Sequence, residues 1–164
     1  MKGKIMSSSI TIEQLKQQGR YPEATELAQQ MLQQAPLDGK LHYQLACLYD
    51  VQGFEQQAIP CYLAALQHGL PAQLRQEAWL GLGSTYRSLG EYQKSLAAFD
   101  DGLNEFPQAK EITLFRAMTL YNLGETKQAV ADLLILLAET SAHTEISSYQ
   151  RAIQQYAADL DRIG

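Results

Sequence analysis

The chain repeats itself, and that repetition limits what it can fold into more than any other feature. Glycines recur at Gly19, Gly53, Gly90 and Gly124, at steps of 34, 37 and 34 residues. Five residues after each comes a small residue (Ala24, Ala58, Ser95, Ala129), and four further on stands Ala28, Tyr62, Phe99 or Leu133. Ahead of the glycines, apolar residues fall at three- and four-residue spacing, as in Leu45, Leu48, Tyr49 or Leu82, Tyr86, Leu89, which is helix periodicity. Glycine suits the junction because a helix ends at least cost on a residue able to take φ > 0. Pro36, Pro71 and Pro107 stand near the unit ends, where proline stops a helix. No segment sustains period-two alternation, so no strand is predicted. The unit is helix, glycine turn, helix, breaker, four times over, and a period of this size means stacked units.

The third unit reads Trp79-x2-Leu82-Gly83-x2-Tyr86, then Gly90, Tyr92, Ser95-x3-Phe99 and Pro107. It resembles the tetratricopeptide repeat, a ~34-residue pattern of W-x2-L-G-x2-Y, A-x3-F and P. The second unit agrees at Leu45, Ala46, Tyr49, Ala58, Tyr62 and Ala65, and the fourth at Ala117, Leu120, Ala129 and Leu133. The first agrees mainly at Gly19, Ala24 and Pro36. In length and ending the chain is also similar to the small bacterial tetratricopeptide proteins of the group 5 type. The resemblance implies an all-α fold, a right-handed α-α superhelix or solenoid of about four helix-turn-helix repeats. These are placed at residues 9–36, 39–70, 76–107 and 110–141, with 1–164 as a single domain. Small residues such as Ala46, Gly83 and Ala117 let helices approach within a unit, and large ones such as Tyr49, Trp79 and Phe99 fill the gaps between units. Ile146, Tyr149, Ile153, Tyr156, Leu160 and Ile163 keep three/four spacing opposite Ser148, Arg151, Gln155 and Asp159, which predicts one capping helix over 145–163.

Four departures from the pattern stand out. Ser8, Thr11 and Ile12 occupy the places of Trp, Leu and Gly, so the first helix is expected to be short. Pro60 falls within a helix and predicts a kink or a late start. Three extra residues, Gln73 to Arg75, lengthen either a connection or the next helix. Arg116 replaces a buried Leu and is expected to snorkel or to pair with an acid.

Composition removes several function classes. Of 164 residues, 13 are Lys or Arg against 18 Asp or Glu, a net charge of -5, which disfavours a nucleic-acid surface. No apolar run approaches the ~18 residues of a membrane span. The opening residues carry two lysines but no apolar stretch of the secretory kind. Cys47 and Cys61 are too few for a disulfide framework, which points to the cytoplasm. His42, His68 and His143 lack zinc-site spacing, and His42 stands where the family has a core Trp. The cysteines read as small buried hydrophobes. Gly81-Leu82-Gly83 has no strand before it, so helix contact is expected there and not a phosphate loop. Asp100, Asp101 and Glu105 read as a solvated face. No enzyme, metal or cofactor is expected.

The resemblance implies a concave surface lined by the first helix of each unit, with equivalent positions readable as columns. Those columns are Lys40, Glu77, Glu111; Tyr43, Leu80, Leu114; Cys47, Ser84, Met118; Asp50, Arg87, Tyr121; and Val51, Ser88, Asn122. Some members clamp a chain-terminal carboxylate with Lys and Asn in the second and third columns, and here those residues are missing. The candidate partner site is therefore Tyr43, Cys47, Asp50, Leu80, Ser84, Arg87, Leu114, Met118, Tyr121 and Asn122, apolar at its centre. Such a surface suits a peptide or helix of a protein partner, in a chain that also forms a homodimer. The alternative is a small chaperone of the bacterial secretion type that holds an aggregation-prone client.

Overall fold

A computed structural model describes residues 10–163, and Ser8 and residue 9 of the first expected repeat lie outside them. The described residues form α1 (Ile12–Gln17), α2 (Tyr21–Gln34), α3 (Gly39–Val51), α4 (Glu55–His68), α5 (Ala72–Ser88), α6 (Tyr92–Glu105), α7 (Lys110–Asn122), α8 (Thr126–Thr140), α9 (Thr144–Ser148) and α10 (Gln150–Ala157), with no strand among them. The chain divides after Gly69 into two compact units.

One turn geometry joins each helix pair. Gly19, Gly53, Gly90 and Gly124 all take positive φ, between 70° and 84°. The residue after each glycine donates its backbone N–H to a carbonyl five residues back at 2.9 Å: Arg20 to Leu15, Phe54 to Tyr49, Glu91 to Tyr86, Glu125 to Leu120. This is the six-to-one Schellman closure, and a Cβ at these glycines would meet nothing within 4 Å. Backbone conformation, not space, selects glycine there.

The first unit holds α1 to α4. Its core is Ile12, Leu15, Ala24, Ala28, Leu41, Leu45 and Leu48, with Tyr21, Leu27 and Tyr49 against it. The first helix is as short as expected, six residues, yet it buries Ile12 and Leu15. A capping box compensates for its length: Thr11 Oγ1 accepts from Gln14 N at 3.2 Å, and Gln14 Oε1 accepts from Thr11 N at 2.9 Å. Pro60 neither delays nor breaks α4, which runs unbroken from Glu55. It lies inside the helix, past the first turn, at an exposed position where it removes one ladder donor.

The second unit holds α5 to α10. Gln73 to Arg75 lengthen the helix and not the connection, because α5 starts at Ala72 and runs 17 residues. Phe99, Ala109 and Ile112 form one core cluster, with Trp79, Leu80, Leu103, Phe106 and Phe115 packed on it. A Cβ on Gly83 would fall 2.3 Å from Cε1 of Phe99, so the close approach expected at this glycine is present. Ser95, at the small position of the third repeat, is fully buried. Its hydroxyl donates to Gly83 O at 2.8 Å and therefore accepts from Thr119 Oγ1 at 2.9 Å, which ties α6 to α5 and α7. Arg116 pairs with acids on both neighbours, Asp100 of α6 at 2.6 Å and Asp132 of α8 at 3.1 Å.

The C-terminal end differs from expectation. The single helix anticipated over 145–163 is two short ones, divided at Tyr149. The Ser147 and Ser148 hydroxyls donate to Thr144 O and Glu145 O at 3.0 and 2.8 Å, local bonds that compete with helix propagation. Past Ala157, Asp159 Oδ1 accepts from Asp161 N at 3.2 Å and turns the chain. The apolar stripe is consequently only part covered: Tyr149, Tyr156 and Leu160 are exposed and Ile163 is 97% exposed.

Candidate functional site

The expected partner residues fall into two groups, one in each unit. In the first unit, α3 carries Tyr43, Cys47 and Asp50, and all three are half-buried. Their common neighbour is Tyr62 of α4, itself buried. Its hydroxyl donates to Asp50 Oδ2 at 2.7 Å and lies 3.9 Å from Cys47 Sγ, and the rings of Tyr43 and Tyr62 sit 6.2 Å apart. Burial pushes the Cys47 thiol up, partly offset by hydrogen bonds from Tyr43 and Tyr62. Burial likewise raises the Tyr62 phenol, with the nearby Cys47 and Asp50 acting in the same direction. A protonated thiol and phenol beside a carboxylate make a static hydrogen-bonded cluster, without an activated nucleophile. Cys61, pushed up to about 11 by burial alone, is no more reactive.

Nearby, His42 Nε2 donates to Pro36 O at 2.8 Å, and its ring lies 5.5 Å from that of His68. The core role expected of His42 is thus only part of its setting, since the ring also fastens the preceding loop. Among the described residues no group of three or more His, Cys, Asp or Glu could hold a metal ion.

In the second unit the expected residues separate. Arg87 on α5 and Met118 and Tyr121 on α7 converge on a cavity of about 350 Å³. Asn122 stands behind them and accepts from Arg87 Nε at 2.8 Å. Leu80 instead packs on the Phe99, Ala109, Ile112 cluster, and Ser84 and Leu114 are half-buried outside the cavity wall. The rest of the wall is Ala117 of α7 with Thr126, Ala129, Val130 and Leu133 of α8. Columns drawn through first helices alone do not reach the α8 residues. A signal for them exists, since the run from Leu133 to Ala138 is apolar on every side, more than one buried face requires. Val130, Leu133 and Leu137 accordingly emerge as an exposed stripe at i, i+3, i+7. Beyond it, Leu137, Ile146, Tyr149, Ile153 and Tyr156 border a second apolar cavity of about 480 Å³.

The acids read as a solvated face are mostly engaged. Glu105 accepts from the Trp79 indole at 3.0 Å and from Arg75, whose guanidinium holds that carboxyl below the usual range. Asp100 belongs to Arg116. Asp101 alone of the three is simply exposed.

Comparison with known families bears on all of this. The tetratrico peptide repeat model of group 5 matches residues 39–160, most of the chain. The chain belongs to the tetratricopeptide repeat family. No curated protein matches it. Tetratricopeptide repeats are non-catalytic scaffolds that mediate protein–protein interaction, so the Arg87 cavity belongs to a fold whose usual work is holding another protein. No helix among the described residues is long and apolar enough to cross a membrane.

Proposed function

We propose that this tetratricopeptide protein is an interaction module, and that the cavity of its second unit takes a peptide segment or helix of a protein partner. The observation that carries the reading is the meeting of three expected groove residues, Arg87, Met118 and Tyr121, with an exposed apolar stripe of α8. Tyr121 is 68% exposed and Val130 46%, an uneconomic surface for a side chain with no second role. Aromatic, Met and Arg side chains at the centre of a patch are the types that dominate interface energies. Two free thiols suit a reducing compartment, and the cytoplasm is where we place this binding.

Self-association is a second reading, with its own observation in its favour. Leu137, Tyr149 and Tyr156 extend the apolar surface away from the cavity, and a closed two-fold pair would cover them. Capture from lysate with wild type and Val130→Glu, with the mass of each eluted complex measured, tests both. A stoichiometric partner retained by wild type and lost with Val130→Glu supports docking at the cavity. A dimer mass that Tyr156→Glu halves supports self-association. Many unrelated unfolded proteins in the eluate would favour the chaperone alternative, and an eluate unchanged by Val130→Glu would exclude the cavity as the docking site.

A further inference from the structure

We infer that the segment held by the second unit carries an acidic side chain beside its apolar anchor, and that the Arg87 guanidinium receives that carboxylate. The inference rests on the docking reading above and specifies its partner.

The geometry of Arg87 is the starting point. Its Nε is engaged by Asn122 Oδ1 at 2.8 Å, and no other acceptor meets the guanidinium among the described residues. The side chain is half-buried, so this anchor fixes the fork at the edge of the cavity instead of leaving it to sweep through solvent. A guanidinium held at Nε still offers the paired Nη donors that match a carboxylate in two parallel bonds. Little ordering remains to be done on binding, which is the part of the cost that usually weakens a surface ion pair.

The surroundings favour the same ligand. Ala117, Met118, Val130 and Leu133 make the wall apolar, and no acidic side chain lies in it. A carboxylate brought here meets one cation at reduced dielectric, with no competing anion of the protein's own in the wall. Thr126, the first residue of α8, adds a hydroxyl to the same wall. The volume of about 350 Å³ accommodates a bulky anchor such as Leu or Phe. Tyr121 lines the same cavity and is largely exposed, a ring available to a docked segment. The Lys and Asn with which some members clamp a chain terminus are missing from the second and third columns, so the carboxylate is taken to be that of an internal Asp or Glu.

The test uses the full chain and three labelled hexapeptides. The first is acetyl-Ala-Leu-Glu-Leu-Phe-Ala-amide, the second has Gln for Glu, and the third is the Gln peptide with a free terminal carboxylate. Fluorescence anisotropy gives affinity, and the Met118 methyl resonance reports entry into the cavity. The Glu peptide is expected to bind about tenfold or more tighter than the Gln peptide, with the advantage shrinking as salt rises. Arg87→Gln is expected to bring both to the weaker value, and Arg87→Lys, which keeps charge but loses the fork, to leave part of the difference. Equal binding of the Glu and Gln peptides to wild type, or a preference that survives Arg87→Gln, would overturn the inference while leaving docking intact. Tightest binding by the free-carboxylate peptide would make this a chain-terminus site and equally overturn it. A Met118 methyl unmoved by every peptide would count against the docking reading itself and take this inference with it.

Discussion

Gly83 and Phe99 share a single space, and both are readable from the sequence as family positions. The structure adds the reason: a Cβ at Gly83 would stand 2.3 Å from the Phe99 ring, which is itself fully buried. Gly83→Ala is therefore expected to destabilise by about 1–3 kcal/mol through overpacking. Gly90→Ala, with open space around its Cβ but φ of 76°, is expected to cost about 1–2 kcal/mol through backbone conformation alone. Urea midpoints of the two variants check both values. Cysteine behaviour gives a pH prediction. Cys61 keeps its proton in the folded state up to about 11, whereas the unfolded thiol loses it near 9. Between those values the native chain binds more protons, so stability is full below pH 9 and declines as pH rises toward 11. Replacing Cys61 with Ala is expected to flatten that decline, as read from melting temperatures across the window. What residue-level reading could not supply was partner identity. Asp50 was legible as a groove position, but its bond to Tyr62 joins residues on two helices and has no local pattern.

At the scale of elements, the helix pairs were legible because each carries a periodic stripe and a glycine closure. Where local side-chain bonding decides, the pattern misled. The C-terminal stripe reads as one helix, yet Ser147 and Ser148 bond back to their own turn and Asp159 folds the chain over, so two short helices result. Helix α4 gives the reverse case, since it starts at Glu55 and runs through Pro60 without the late start that was one of the two outcomes expected. Pro60→Ala restores the missing donor at an exposed position and is expected to stabilise by about 2 kcal/mol, after allowing for the freer unfolded chain. Arg116 tests how α6, α7 and α8 are held. Arg116→Leu, which restores the family's residue, strips Asp132 of its ion pair while leaving its contact with Gln128, and a loss of about 1–3 kcal/mol is expected. If adding Asp132→Asn to Arg116→Leu recovers part of that loss, the uncompensated carboxylate is its cause. Thermal unfolding of the single and double variants settles the matter.

On the scale of the whole molecule, a period near 34 residues with helical spacing inside each unit already described a scaffold of stacked helix pairs. The family match over residues 39–160 agrees with that description. Of the surface proposed here for binding, the sequence columns reach one part. Columns drawn through first helices include Arg87, Met118 and Tyr121 of the cavity wall, and also Leu80, which is half-buried against the Phe99 cluster and lies outside that wall. They missed Val130 and Leu133, because a second helix is normally spent on packing and only its surplus of apolar residues betrays an exposed face. On the proposed reading a partner sits in the cavity between Arg87, Tyr121 and α8. A photo-crosslinking amino acid placed at position 121, with a control at the exposed Asp101 of α6, tests it directly in the producing cell. A discrete adduct from position 121 and none from position 101 is the result expected. An adduct from position 101, with none from position 121, would contradict the claim and move the interaction to another face.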